Sequence, residues 1–185
     1  MSMDMSQNNL LLLALLILVV AGGVVVYLLQ RKKTRSIELR KQFGSEYDRE
    51  LTRQGSLKKT EISLAARQAR VERLPLRVLP TAQRDRFVAD WQIVQSRFLD
   101  HPKGSLTEAD ELVSALMQAR GYPVNSFDQS AEDISVNHPR IMEYYRSAHA
   151  VAIRPSNSEA STEELRSAMI EYRTLFDELV QASAA

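Results

Sequence analysis

Three histidines, His101, His138 and His149, are the side chains best suited to acid–base or metal chemistry near neutral pH. Their spacing gives neither an H-E-x-x-H pattern nor an i, i+4 pair that would set two imidazoles on one helical face. His138 precedes Pro139 and reads as the residue leading into a helix, while His149 reads as a surface or partly packed histidine. A metal site built from these two needs carboxylates from distant parts of the chain. The absence of Cys excludes a thiolate nucleophile, a disulfide framework, Cys-ligated zinc and a lipoprotein acyl anchor. No G-x-S-x-G elbow accompanies any serine. The glycines, at 22, 23, 44, 55, 104 and 121, assemble neither a phosphate-cradling loop nor a dinucleotide fingerprint. Glu132 and Asp133 are adjacent and project about 100° apart on a helix, so they are not a paired acid and base by themselves. No catalytic, metal-binding or cofactor-binding residue is assigned, and no cofactor is expected.

Charge is the stronger signal. The 185 residues carry 24 Lys and Arg against 23 Asp and Glu, a net of +1 that describes neither half. Arg31 to Arg86 holds 16 basic and 7 acidic residues; Phe87 to Ala185 holds 8 basic and 15 acidic. The acidic runs Glu108–Glu111 and Glu163-Glu164 fall in expected helix first turns, where the macrodipole favours carboxylates.

Leu10 to Leu29 is a twenty-residue run without charge or Pro. At about 1.5 Å per residue it spans about 30 Å, the hydrocarbon thickness of a bilayer. The preceding MSMDMSQNN carries an Asp and no Lys or Arg, unlike the n-region of a cleaved signal peptide. Arg31, Lys32, Lys33 and Arg35 form a stop-transfer flank, which by the positive-inside rule puts the N-terminus outside and the body in the cytoplasm.

The elements that would position any site are helical throughout. Residues 30–80 read as a basic helical stalk and connector, with breaks at Gly44 and Gly55 capped by Ser45 and Ser56. A helix from about Leu57 to Leu74 is expected to place Leu57, Leu64 and Val71 on one face. Lys58, Lys59, Arg67, Arg70 and Arg73 go to the other. Pro75 and Pro80 enclose an extended LRVL segment. Residues 81–185 read as an acidic helical bundle. A helix runs from Thr81 towards Asp100, and His101-Pro102-Lys103-Gly104 reads as a loop before a Ser105–Glu108 capping box. Gly121 ends that helix, and Arg120-Gly121-Tyr122-Pro123 either presents Arg120 and Tyr122 to a partner or folds Tyr122 back on the core. Ser130–Asp133 starts a short helix, and Pro139 opens the next. A Ser161–Glu164 box opens the last, which carries Leu165, Ala168, Met169, Tyr172, Leu175, Phe176 and Leu179 on one face. The fold class is therefore all-α: an N-terminal tail (1–9), a transmembrane helix (10–29), the stalk, and an antiparallel helical bundle.

The chain resembles an uncharacterised family of bacterial single-pass membrane-anchored, or nominally secreted, helical proteins with no assigned activity. The resemblance rests on Phe43-Gly44-x-Glu46-Tyr47-Asp48, Gln95-x-Arg97-Phe98-x-Asp100 and Arg120-Gly121-Tyr122-Pro123. It continues through Ser135-Val136-x-His138-Pro139, Tyr145-Arg146-x-Ala148-His149 and Tyr172-Arg173-x-Leu175-Phe176. It implies a bacterial inner-membrane setting and carries over no catalytic residue.

Together these features predict a membrane-tethered, non-enzymatic interaction or scaffold protein with an unidentified protein partner. Arg31, Lys32, Lys33, Arg35, Lys58, Lys59, Arg67, Arg70 and Arg73 are its candidate contacts to anionic lipid headgroups or a partner. A basic helix that clamps the acidic bundle within the same chain is a further reading of the charge split. Nucleic acid is disfavoured, since neither a reading motif nor interleaved aromatics accompany the charge. The alternative is a small membrane-anchored hydrolase or ligand-binding domain with a site near His138 and His149, and the alternative location is the extracytoplasmic side.

Overall fold

The computed structural model describes residues 15–20, 22–23, 36–154 and 160–182. Among them there is no strand, in keeping with a sequence that never alternates for long with period two. The chain divides into two units, Met1–Lys41 and Gln42–Ala185. In the first, residues 15–20, 22–23 and 36–41 are helical. Among the described residues no helix is long and apolar enough to cross a membrane. Most of the expected transmembrane segment 10–29, and the flank Arg31, Lys32, Lys33 and Arg35, lie outside the described residues.

The second unit is a helical bundle built from α1 (Ser45–Gln54), α2 (Leu57–Val71), α3 (Thr81–Arg97), α4 (Pro102–Ala119), α5 (Phe127–Asn137), α6 (Met142–Ala152) and α7 (Thr162–Gln181). A 3-10 turn, Pro139–Ile141, leads into α6. The centre is α4, α6 and α7, packed on one another. From there α3 lies on α4, α5 on α6, α2 on α5 and α1 on α2. The expected boundary at residue 80 thus falls between two helices of one compact unit.

The core follows from periodicity. All seven apolar residues expected on one face of α7 are buried, and its Ser161–Glu164 capping box is formed. The single Trp, Trp91 of α3, stacks on Phe176 of α7 with centroids 4.8 Å apart and planes 20° from parallel. That contact anchors an outer helix which otherwise buries only Val94.

Several helix starts differ from expectation: α1 is entered through Gly44, with Ser45 already helical, and at the start of α2 the Ser56 side chain makes no capping hydrogen bond. α4 begins at Pro102, three residues before Ser105, because Pro at the first helical position has no N–H to satisfy and a preset φ. Ser105 is consequently buried inside the helix, and its hydroxyl caps nothing. α5 begins at Phe127, capped by Ser126, whose hydroxyl accepts from the Gln129 N–H; Ser130 lies a turn inside. At α4 and α5 the earlier residue meets the steric or capping requirement, and the later serine motif is incidental.

Gly121 is required where it stands. Its φ is +96°, and a Cβ there would lie 2.5 Å from the Pro75 carbonyl oxygen. The turn after α4 and the extended segment after α2 therefore touch backbone to backbone, and Arg77 N–H donates to the Arg120 carbonyl beside them. Tyr122 folds back into the core, and its hydroxyl meets Asn137 at 3.2 Å. Arg120 is buried too, and its Nη1 donates to the Leu179 and Ala182 carbonyls at the end of α7. Those are orphan acceptors of a helix C-terminus, so a cation there satisfies both hydrogen bonding and the dipole.

Candidate functional site

The residues with charge chemistry converge where α1, α2, α5 and α6 meet. α1 follows Phe43, and Phe43, Glu46, Tyr47 and Glu50 recur at i, i+3, i+4 and i+7, the spacing of a buried stripe. All four are buried, so two carboxylates are carried inside with two aromatics. α2 does the same with a cation: Leu64, Arg67 and Val71 share its buried stripe, and Arg67 is only 3% exposed.

The placement of Arg67 corrects the expected face. It does not join Lys58, Lys59 and Arg73 on the outside but lies on the opposite side, under the helix. Its Nη1 donates to Ser135 Oγ at 3.0 Å, and its Nη2 lies 3.5 Å from Glu50 Oε2 and 3.4 Å from Glu132 Oε1. Glu46 Oε2 is 3.7 Å from Nη1. The sequence favoured the outer face because Arg is usually exposed; burial is tolerated here because three carboxylates surround it. Burial pushes the guanidinium pKa down, and the neighbouring Glu132, Glu50 and Glu46 oppose that.

Arg70 sits one turn on and half exposed, where its Nε donates to Asp133 Oδ1 at 2.7 Å and its Nη2 to Glu132 Oε2 at 3.4 Å. Asp133 is fully buried and also accepts from Gln129. Arg146 of α6 donates to both oxygens of Glu46. Arg53 closes the mouth, 2.7 Å from Glu50 and 3.3 Å from Glu132. Burial pushes the Glu50 carboxyl up, but hydrogen bonds from Arg53, Ser63 and Gln54 outweigh it and hold the group at about 2. A carboxylate fixed in its ionised form cannot deliver a proton near neutral pH. The cluster's chemistry is that of a cross-brace between helices rather than of proton transfer.

The remaining candidates are scattered. Lys58, Lys59 and Arg73 are exposed, and none of them enters an ion pair among the described residues. His138 and His149 do not meet. His138 caps the end of α5 and His149 sits in the last turn of α6, 11 residues on, and each lies against a carboxylate of another helix: His138 Nδ1 is 3.1 Å from Glu178 Oε1, and His149 Nδ1 is 3.2 Å from Asp110 Oδ1. Phe127 stacks on the His149 ring at 3.7 Å, and the Tyr172 hydroxyl donates to the same Asp110 oxygen at 2.7 Å. Burial and the adjacent Asp110 carboxylate push the Tyr172 hydroxyl pKa well up. No group of three or more His, Asp or Glu able to hold a metal occurs among the described residues.

Sequence reasoning gave no role to Glu46, Glu50 or Arg146, set Asp133 aside as a proton-transfer partner of Glu132, and placed Asp110 in a helix first turn, whereas α4 starts at Pro102. A signal for the first two was present in the form of acids inside an apolar stripe, matched by Arg67 inside another. Asp110 and Arg146 carried no such mark, because their partners come from distant helices. Compared with family profiles, curated proteins and solved structures, the chain matches none of them.

Proposed function

We propose that the chain is a membrane-tethered helical interaction or scaffold protein without enzymatic activity. Residues 10–29 form its single transmembrane helix, and the basic stretch 30–41 is its stalk. The bundle beyond is antiparallel, lies in the cytoplasm and meets a protein partner. The observation that carries this reading is the commitment of the reactive side chains to holding helices together. Arg67, Arg70 and Arg146 are engaged by Glu46, Glu50, Glu132 and Asp133, and each histidine lies against its own carboxylate. The tether rests on the apolar run and its basic flank. The bacterial inner-membrane setting rests on the resemblance given above.

A hydrolase or ligand-binding site shared by His138 and His149 has less support, since carboxylates of different helices, Glu178 and Asp110, engage the two rings. The test uses the full chain. It should stay with membranes through alkaline carbonate extraction, and deletion of residues 10–29 should release it. Because the chain has no Cys, Ser2→Cys should react with an impermeant maleimide on intact cells and Ser147→Cys only after lysis. A full chain found in the soluble fraction would overturn the tether, and reversed labelling would overturn the orientation.

A further inference from the structure

The turn between α1 and α2 leaves an unusual group of side chains in solvent. Gly55, at φ +63°, ends α1 and reverses the chain within two residues, so α2 starts at Leu57. Leu57 and Ile62 are then 59% and 60% exposed, with exposed Lys58 and Lys59 between them in sequence. At 100° per residue, the buried Thr60, Leu64, Arg67 and Val71 occupy about 60° of arc. Lys58, Ile62 and Ala66 lie roughly opposite. The acids of this stretch, Glu61 and Glu72, fall to one side, and Glu72 accepts from Gln68. The neighbouring arginines Arg67 and Arg70 are taken up by acids of α1 and α5. The two lysines meet no acid among the described residues.

We propose that this tip, Leu57 to Ile62, is a docking surface for an anionic bilayer. The lysines meet lipid phosphates, and Ile62 enters the boundary between headgroups and acyl chains, while Leu57 lies towards the Leu64 and Val71 side of the helix. The occupant follows from charge and apolar exposure together. Cations with no carboxylate partner among the described residues, beside an exposed Ile62, match a surface that is anionic outside and apolar a few ångströms below. The inference deepens the membrane-tethered reading and rests on it. It also narrows the lipid contact, which belongs to Lys58 and Lys59 and not to Arg67 or Arg70.

The test exploits the missing Cys. The full chain carrying Ala66→Cys is labelled with an environment-sensitive fluorophore and mixed with phosphatidylglycerol or phosphatidylcholine vesicles. Emission should shift to the blue, and doxyl-lipid quenching should rise, with phosphatidylglycerol alone. Lys58→Glu with Lys59→Glu should abolish both effects, and a label at Ile170→Cys on α7 should show neither. An equal response in both vesicles, an equal response at Ile170→Cys, or none at Ala66→Cys would overturn the docking. A concentration-dependent shift without vesicles would assign the tip to a second copy and overturn it too. Carbonate extraction of the same samples reports the tether separately. Docking with no integral insertion keeps this surface and sinks the tether, while insertion without the shift does the reverse.

Discussion

Arg146 grips Glu46 with both prongs of its guanidinium, Nε to Oε1 and Nη2 to Oε2, each at 3.1 Å and across 100 residues of sequence. Two-pronged pairs of this kind fix orientation as well as distance. α6, at the centre of the bundle, is thereby tied to α1, which contributes few apolar side chains of its own. Glu46 also lies 3.7 Å from Arg67, so the grip continues through α2 to Ser135 and Glu132 on α5.

Replacement of Arg67 should be the most damaging change in this cluster. Arg67→Met removes the cation and leaves Glu46, Glu50 and Glu132 facing one another under α2. Breaking a buried pair from one side costs about 3–5 kcal/mol. Urea denaturation followed by Trp91 fluorescence should show that loss, whereas Lys58→Met and Lys59→Met should change stability by less than about 0.5 kcal/mol.

Acid should loosen the same region. Glu50 is held at about 2 in the folded protein, below its ordinary 4.5, so its ionised form favours the fold. That contribution is fully present above about pH 4.5 and fades as pH falls towards 2. Glu164 behaves alike, held at about 2 by the Ser161 N–H, Arg154 and the Ser161 hydroxyl. Glu50→Gln should flatten the fall in stability between pH 4.5 and 2, read from thermal midpoints across that range. An unchanged slope would remove Glu50 from this account.

Gly121→Ala should destabilise by two routes. An L side chain at φ +96° is strained by about 1–3 kcal/mol. The added methyl would also press on the Pro75 carbonyl, which is backbone and cannot swing away. Gly104→Ala, where a Cβ meets nothing closer than 4.0 Å, should be neutral or stabilising by comparison. Denaturation midpoints of the pair measure the contrast.

Asp110 should couple Tyr172 to His149. Tyr172→Phe removes the 2.7 Å donor and leaves a partly buried carboxylate less satisfied, a cost of about 1–3 kcal/mol. A double-mutant cycle of Tyr172→Phe with His149→Ala should give a coupling of about 0.5–3 kcal/mol, since the two groups share one Asp110 oxygen. Additive effects would show that Asp110 does not couple them.

Much of the bundle could be read from the chain because its helices announce themselves locally. The stripe on α7, the Ser161 box and the stop at Gly121 each depend on residues within one or two turns. Ser105 and Ser130 misled because an earlier residue, Pro102 in one case and Ser126 in the other, already supplied the start of the helix. Arg67 misled because a residue type was taken as a sign of exposure. Its carboxylates lie 17 to 65 positions away, a relationship no local pattern carries. The sharp charge division along the chain did hold a clue, since Arg67 and Arg70 of one half meet Glu132 and Asp133 of the other.

That division also sets an order of events during synthesis. α1 and α2 emerge carrying Glu46 and Arg70, while Asp133 follows Arg70 by 63 residues and Arg146 follows Glu46 by 100. At about 5–20 residues per second, the first hairpin waits roughly 3–20 s for its partners. During that interval its ionised groups remain hydrated, and the polar stripe that later locks the bundle keeps the nascent segment from sticking to its neighbours.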